Sequence, residues 1–140
     1  MVDFGVKFAK DLEFGDNEEA RLLSVVKNKF GEDIKRTSKG HIFDYYNDEC
    51  LIELKSRNCF SFSYPSSMVG YNKIQSARKS GKSCYFLFNF KDGLYYWEYN
   101  EDDITNGSVC IKKGGRKDRG FYEYKDYAFI DVDLLKEISI

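Results

Sequence analysis

The segment at residues 83–90, SCYFLFNF, is an almost unbroken run of apolar residues. A strand of this kind has no polar face, so we expect other layers of the protein to cover it on both sides. A second strand is predicted at 50–58 (CLIELKSRN), and the segment after Pro65 (SSMVGYNKIQSARKSGK) has the signals of a helix that ends at Gly81. Strand, helix and strand in this order predict a right-handed crossover that makes the two strands parallel.

The other predicted elements precede and follow this unit. Residues 16–30 are predicted to form a helix, because Asp16 can cap its start, its apolar residues share one face, and Gly31 can end it. The remaining elements are a strand at 41–46, a hairpin that turns at 91–93 into a strand at 94–100, a strand pair at 108–113 and 121–132, and a short helix at 133–138. Together they predict one α/β domain over residues 1–140, in which a mixed β-sheet with the strand–helix–strand crossover carries antiparallel hairpins and is flanked by helices.

The composition excludes several classes of protein. With 140 residues, 42% of them hydrophobic, the chain can bury a core, and no apolar stretch has the length of a membrane span. Its 22 basic and 23 acidic residues exclude a generally basic coat for nucleic acid, although a local basic surface is still allowed. Four scattered cysteines and the single His41 argue against a structural zinc site and against histidine-dependent catalysis. We therefore expect a soluble intracellular protein with reduced cysteines and no membrane segment.

Polar residues interrupt the apolar strand at 50–58. Glu53 and Lys55 are two positions apart, so their side chains lie on the same face of a strand. If Tyr46 pairs with Leu51, a four-residue loop places Asp44 of the preceding strand opposite Glu53, with their Cβ atoms about 5 Å apart. A three-residue loop would instead turn Asp44 to the other face. Two carboxylates this close repel each other unless a cation lies between them, and oxygen ligands suit Mg²⁺.

Asp44, eight intervening residues and then Glu53-x-Lys55 resemble the D…(D/E)-x-K motif of the PD-(D/E)XK nuclease superfamily. Upstream, GDNEEARLL is similar to the G-x-x-x-E start of Holliday-junction-resolving members, which places the acidic residue at Glu19. Phe43 stands where the name of the motif has proline. The resemblance covers about residues 15–90, and residues 94–140 would add C-terminal strands and a short helix. The segments ELKSRN, YPSSMVGYNKIQSARK and NFKDGLYYWEYN also resemble small nucleases of large DNA viruses and phages.

The resemblance implies a metal-dependent endonuclease that hydrolyses DNA with Mg²⁺, for which Mn²⁺ can substitute. Asp44, Glu53 and the backbone carbonyl of Leu54 would hold the metal, and Glu19 would approach it directly or through water. Lys55 would orient or deprotonate the attacking water, and the products would be a 5′-phosphate and a 3′-hydroxyl. Analogy with small members of the superfamily also suggests a homodimer.

Other interpretations stay open from the sequence. Glu19 can be explained as the N3 residue of a capping box, and Glu18 takes its place if the helix is rotated by one residue. The chain could also be an inactive nucleic-acid-binding domain of the same fold, or a nuclease directed at RNA. Its aromatic residues are expected in the core rather than at base-stacking sites. The candidates for DNA-binding or supporting roles are Arg57, Lys73, Gln75, Lys113 and Arg116.

Overall fold

The apolar strand at 83–90 lies inside the larger of two β-sheets. The computed structural model describes residues 4–116 and 123–140. In chain order the elements are α1 (Phe4–Phe30), β1 (Lys35–Arg36), β2 (Tyr45–Tyr46), β3 (Cys50–Ser56), β4 (Ser66–Gly70), α2 (Tyr71–Ser80), β5 (Ser83–Phe90), β6 (Gly93–Glu98), α3 (Glu101–Thr105), β7 (Val109–Arg116), β8 (Glu123–Asp131), a 3₁₀ turn (Val132–Leu134) and β9 (Lys136–Ile138).

The larger sheet has the strand order β1-β2-β3-β5-β6-β9. Its β3 and β5 are parallel and are joined through β4 and α2, whereas the other neighbouring strands are antiparallel. One face packs against α1, where Leu22 and Val26 contact a buried cluster that includes Leu87. The opposite face carries Phe86 and Phe88, which pack under α2 and the second sheet. The predicted α/β fold with a mixed sheet and a parallel crossover pair is therefore confirmed.

The second sheet has three antiparallel strands in the order β4-β8-β7. The C-terminal strand pair, which the sequence predicted only as an attached hairpin, belongs to this second sheet, because β8 pairs with both β7 and β4. The prediction of helix for residues 66–70 was wrong. In β4, Ser67 and Val69 alternate into the core, and its backbone pairs with β8, which lies about 60 residues later in the chain. A pairing over this separation leaves no local signal in the sequence.

The first helix is longer than predicted. It runs from Phe4 to Phe30, so Asp16 lies inside the helix and is not its N-cap. Gly15, which lies next to Asp16, is also helical. The predicted end at Gly31 is correct, since Gly31 N–H donates to the carbonyl of Lys27 at 2.9 Å. No helix among the described residues is long and apolar enough to cross a membrane.

The C-terminal segment also differs from the prediction. Residues 133–138 were predicted to be a helix, but they form part of the 3₁₀ turn and then β9, which pairs with β6 at the edge of the larger sheet. Ile138 is buried opposite Leu94, so burial of one apolar side chain and pairing with a strand outweigh a weak local helix preference. The predicted strand at 41–46 is shorter as well, because only Tyr45 and Tyr46 form β2.

The continuous helix makes a testable prediction at Gly15. No heavy atom lies within 4 Å of a Cβ built there, so Gly15→Ala adds a methyl group without a clash. Alanine in a helix interior is more stable than glycine by roughly 1 kcal/mol, and we expect urea unfolding to show a gain of up to that size. As a contrast, Gly81→Ala should cost about 1 kcal/mol, because Gly81 ends α2 with a φ of 68°. A loss of stability in Gly15→Ala would contradict the continuous helix.

Candidate active site

The pairing register of β2 and β3 decides where Asp44 points. Tyr46 pairs with Leu51 and Tyr45 with Ile52, which is the register of the predicted four-residue loop. Beyond β2 the regular pairing stops, because Asp44 N–H donates to the carbonyl of Ile52 at 2.9 Å rather than pairing with Glu53. Asp44 and Tyr45 thus both lie opposite Ile52, as in a β-bulge, and the carboxyl of Asp44 lies within hydrogen-bonding reach of Glu53.

The turn between these strands is held by one side chain. Oδ1 of Asn47 accepts hydrogen bonds from the backbone N–H groups of Glu49 at 2.9 Å and of Cys50 at 2.7 Å. Asn47 N–H also donates to the carbonyl of Cys50 at 3.1 Å. This arrangement uses the ability of asparagine to bond backbone groups a few residues ahead. The turn chemistry of Asn47 thus fixes the loop length on which the position of Asp44 depends.

Asp44 is bonded on several sides. Its Oδ2 accepts the backbone N–H of Leu54 at 2.7 Å, and its carboxyl is within hydrogen-bonding reach of the side chains of Glu53 and Glu19. Burial, followed by the contact with Glu53, raises the pKa of Asp44 to about 10. At neutral pH the protein without a bound cation thus keeps a proton on Asp44, which lets it donate to Glu53.

Glu53 is only 2% exposed and ionised. Burial opposes its charge, but the bond from Asp44 and the positive charges of Lys55 and Lys73 outweigh burial and lower the pKa of Glu53. Its Oε2 lies 2.7 Å from Nζ of Lys73. This contact pairs opposite charges and also contributes as a hydrogen bond to the lowered pKa of Glu53. The anionic oxygen is therefore buried against an ammonium group that balances its charge.

Two lysines share this face with the carboxylates. Burial lowers the pKa of Lys55, and the neighbouring charges of Arg57 and Lys73 act in the same direction, while the charge of Glu53 opposes them. Lys73, a sequence-predicted supporting residue, reaches over from α2 and also donates to the carbonyl of Ile42. The site thus combines two carboxyl groups and two amines in a largely buried environment.

The acidic residues of α1 occupy different positions. Oε2 of Glu19 accepts from Nη2 of Arg36 at 2.9 Å, and the hydroxyl of Tyr45 donates to the backbone carbonyl of Glu19 at 2.7 Å. These bonds hold Glu19 beside Asp44. Since Asp16 is inside the helix, the capping-box interpretation of Glu19 was wrong. Sequence reasoning missed Arg36, which lies on a two-residue strand that carries no recognisable signal.

Glu18, the alternative to Glu19, points elsewhere. It pairs with Arg21 at 2.6 Å and accepts from Nδ2 of Asn89 at 2.6 Å, near the carboxyl end of β5. The hydrogen bond from Arg21 lowers the pKa of Glu18, although burial opposes this effect. Of the two glutamates, Glu19 is the one in contact with Asp44.

The other sequence-predicted residues lie outside this cluster. Gln75 is exposed and two residues after Lys73, about 200° around α2, so the two side chains leave the helix in opposite directions. Lys113 is exposed on β7 and pairs with Asp126 at 3.2 Å. Nη2 of Arg57 donates to the carbonyl of Met68 at 2.5 Å at the end of β3. The side chain of Arg116 lies outside the described residues.

The residues present suit a hard divalent cation only in part. Within residues 4–116 and 123–140, no three or more His, Cys, Asp or Glu side chains are grouped to hold an ion. Mg²⁺, however, keeps several waters and is commonly held by one or two carboxylates. Asp44 and Glu53 are such a pair, and the carbonyl of Leu54 leaves β3 on the same side as its N–H, toward Asp44. The contact between the carboxyl groups of Asp44 and Glu53 fits this small number of protein ligands.

Comparison with known proteins gives one match. The family model described as "Phage putative PDDEXK endonuclease" matches residues 15–139 of the chain. No curated protein and no solved structure matched in the corresponding searches. The matched range includes both sheets and every residue of the cluster around Asp44 and Glu53.

The raised pKa of Asp44 predicts a pH dependence of stability in EDTA. The folded chain holds a proton that the unfolded chain loses above about pH 4, so the free energy of unfolding should fall between roughly pH 4 and 10. Asp44→Asn keeps an acceptor for Leu54 N–H and a donor to Glu53 but cannot ionise. We expect urea unfolding to show that the free energy of unfolding of Asp44→Asn, relative to that of the wild type, increases with pH by at most about 1.4 kcal/mol per pH unit. The exposed Asp48→Asn should show no such trend, and parallel curves for Asp44→Asn and the wild type would refute the shared proton.

The ion pair between Lys73 and Glu53 predicts a coupling in stability. Lys73→Met removes one of the positive charges that balance the buried Glu53 carboxylate, so it should be destabilising. In the Glu53→Gln variant position 53 carries no charge, so the same substitution should cost less. A double-mutant cycle by urea unfolding should give a coupling of about 1–3 kcal/mol. Lys79→Met, at an exposed position on α2, should be additive with Glu53→Gln. If the effects of Lys73→Met and Glu53→Gln were additive, the ion pair would contribute nothing to the free energy of unfolding.

Proposed function

Because the chain belongs to the phage PDDEXK endonuclease family, we propose that it is a Mg²⁺-dependent endonuclease that hydrolyses phosphodiester bonds of DNA. The observation that carries this proposal is the contact between the buried carboxyl groups of Asp44 and Glu53, on the same face as Lys55. Here two carboxyls in contact keep one proton between them, and such pairs are typical of functional sites.

Asp44, Glu53 and the carbonyl of Leu54 are the groups that would hold the cation, and Mn²⁺ should be able to replace Mg²⁺. When bound, the ion supplies a Lewis acid for the scissile phosphate and lowers the pKa of a coordinated water. Asp44 would first lose the proton that it holds. Glu19, kept beside Asp44 by Arg36, would approach the ion directly or through water.

Lys55 is proposed as the residue that orients the attacking water. Its lowered pKa makes the neutral amine more accessible than in an exposed lysine, so Lys55 can accept a proton from that water or hold it by hydrogen bonding. The positive charge of Lys73 would neutralise part of the negative charge of Glu53 and of the phosphate. The products would be a 5′-phosphate and a 3′-hydroxyl.

Contacts to the DNA backbone are proposed for positively charged and polar residues around the site. Arg57 comes two residues after Lys55, just beyond the end of β3, and is the proposed phosphate contact next to the site. Each lysine or arginine that neutralises a phosphate releases counterions, so binding should weaken steeply with salt. The other proposed contacts are Gln75, Lys113 and Arg116, and a homodimer would allow both strands to be cut.

The test is cleavage of supercoiled plasmid and linear duplex DNA with Mg²⁺, Mn²⁺ or EDTA. We expect cleavage only with a metal, and a loss of at least about 100-fold in rate for Glu53→Gln and for Lys55→Met, because each removes a group that acts at the reacting phosphate. Glu98→Gln makes the same chemical change at an exposed residue of β6 and should leave the rate unchanged.

Each alternative has its own outcome in this experiment. DNA binding without cleavage by the wild type under every metal would identify an inactive binding domain. Faster cleavage of RNA than of DNA of the same sequence would identify an RNA-directed nuclease. Full activity in both Glu53→Gln and Lys55→Met would overturn the proposed site, even if the protein cleaves DNA.

A further inference from the structure

The segment at residues 60–64, FSFSY, which we call the aromatic loop, exposes three large rings to solvent. Phe60 is 43%, Phe62 76% and Tyr64 65% exposed. Phenylalanine is usually buried, and several exposed rings together commonly mark a binding surface. The aromatic loop was not identified from the sequence, where aromatic residues were expected in the core.

Hydrogen bonds hold the aromatic loop in place. Oδ1 and Oδ2 of Asp92 accept from the N–H of Ser61 at 2.7 Å and from its hydroxyl at 2.6 Å. Within the loop, Phe60 N–H donates to Oγ of Ser63 at 3.0 Å, and Ser63 N–H donates back to the carbonyl of Phe60 at 3.0 Å. The rings are therefore presented by an ordered turn tied to the β5–β6 hairpin, so little conformational entropy is lost on binding.

The rings themselves form the start of a stack. The planes of Phe60 and Phe62 are 12° apart and their centroids are separated by 5.3 Å. Nζ of Lys91 lies 5.8 Å from the centroid of Phe60. The high exposure of Phe62 leaves ring surface free on which another flat ring can stack. Two parallel aromatic rings next to a cation are the combination with which proteins bind unpaired bases of nucleic acids.

A cavity of about 380 Å³ lies next to the aromatic loop, and its walls are mostly apolar. This volume is within the range of about 300–1,000 Å³ that is usual for pockets that bind small organic groups. Phe60 and Tyr64 line it from the loop, Phe62 does not, and Arg57 lines it just beyond the end of β3. Arg57 follows Glu53 by four residues, which span about 13 Å of extended backbone.

We propose that the aromatic loop binds an unpaired nucleobase of the DNA substrate, by stacking on Phe62, while the neighbouring phosphates lie along Arg57 toward Asp44 and Glu53. The inference rests on the proposed nuclease function and specifies its substrate. A base inside a duplex already stacks on its neighbours and does not offer a free face. The preferred substrates are therefore single strands, flaps and bulges rather than continuous duplex.

The test uses the full-length Glu53→Gln variant with Ca²⁺, so that binding is measured without cleavage. Fluorescence anisotropy compares a duplex, the same duplex with a bulged base, and a single strand, and 2-aminopurine at the bulge reports stacking by quenching. Adding Phe62→Ala should weaken binding of the bulged and single-stranded probes by about 5- to 100-fold, and binding of the duplex by less than about 2-fold. Phe62→Trp should restore both affinity and quenching.

Phe14→Ala is the matched control, because Phe14 is a phenylalanine that is 52% exposed and lies on α1. It should leave all three affinities unchanged. Equal affinities for bulged and continuous duplex, or equal losses on both in Phe62→Ala, would overturn the inference. So would a dimer seen by light scattering that Phe62→Ala dissociates without altering the preference for unpaired bases, since the aromatic loop would then be a contact between two copies of the chain.

These results are separable from those that test the nuclease itself. If wild-type protein cleaves DNA with Mg²⁺ but Phe62→Ala does not change the preference for unpaired bases, only this inference fails. If Phe62 contributes to binding of bulged DNA but no metal supports cleavage, the nuclease proposal fails and the base-binding site stands.

Discussion

The site depends on one backbone register, the pairing of Tyr46 with Leu51. A shift by one residue would move Asp44 to the α1 face and leave Glu53 buried without its partner carboxyl. Two independent contacts oppose such a shift. Asn47 fixes the length of the turn, and the hydroxyl of Tyr45 is bonded to the backbone of α1. The position of two carboxyl groups is thus secured by residues that carry no charge themselves.

The sequence could predict the parts of the site that follow from local periodicity. Residues two apart on a strand share a face, so Glu53 and Lys55 were expected together, whereas the position of Asp44 depended on which of two loop lengths the chain adopts. Lys73 could be named as a supporting residue, but its contact with Glu53 depends on how α2 crosses the sheet. Arg36 had no recognisable pattern at all. Contacts that depend on packing between distant elements are the ones that one sequence does not reveal.

The errors in predicting the fold have the same origin. Residues 66–70 form a strand because β8 supplies its hydrogen-bond partners, and residues 136–138 because β6 does. The aromatic loop is a related case. The aromatic loop is as rich in aromatic residues as the core segments, so its sequence gives no sign that Phe60 and Phe62 are exposed. They face solvent because hydrogen bonds to Asp92 hold the turn that carries them. Hydrophobic side chains predict burial on average, and the exceptions are informative only once exposure is known.

If Asp44 and Glu53 hold a divalent ion, as proposed, protons and that ion would compete for them. Without a metal, the repulsion between Asp44 and Glu53 is relieved by a proton on Asp44 and by the ammonium group of Lys73. Carboxylates must be deprotonated to coordinate a metal, so binding a divalent ion would release that proton. Affinity for the ion would therefore rise with pH over the range in which Asp44 is protonated. Burying two carboxylates without a counter-charge would destabilise the folded protein. A cation bound between them would remove this penalty and so stabilise the folded state.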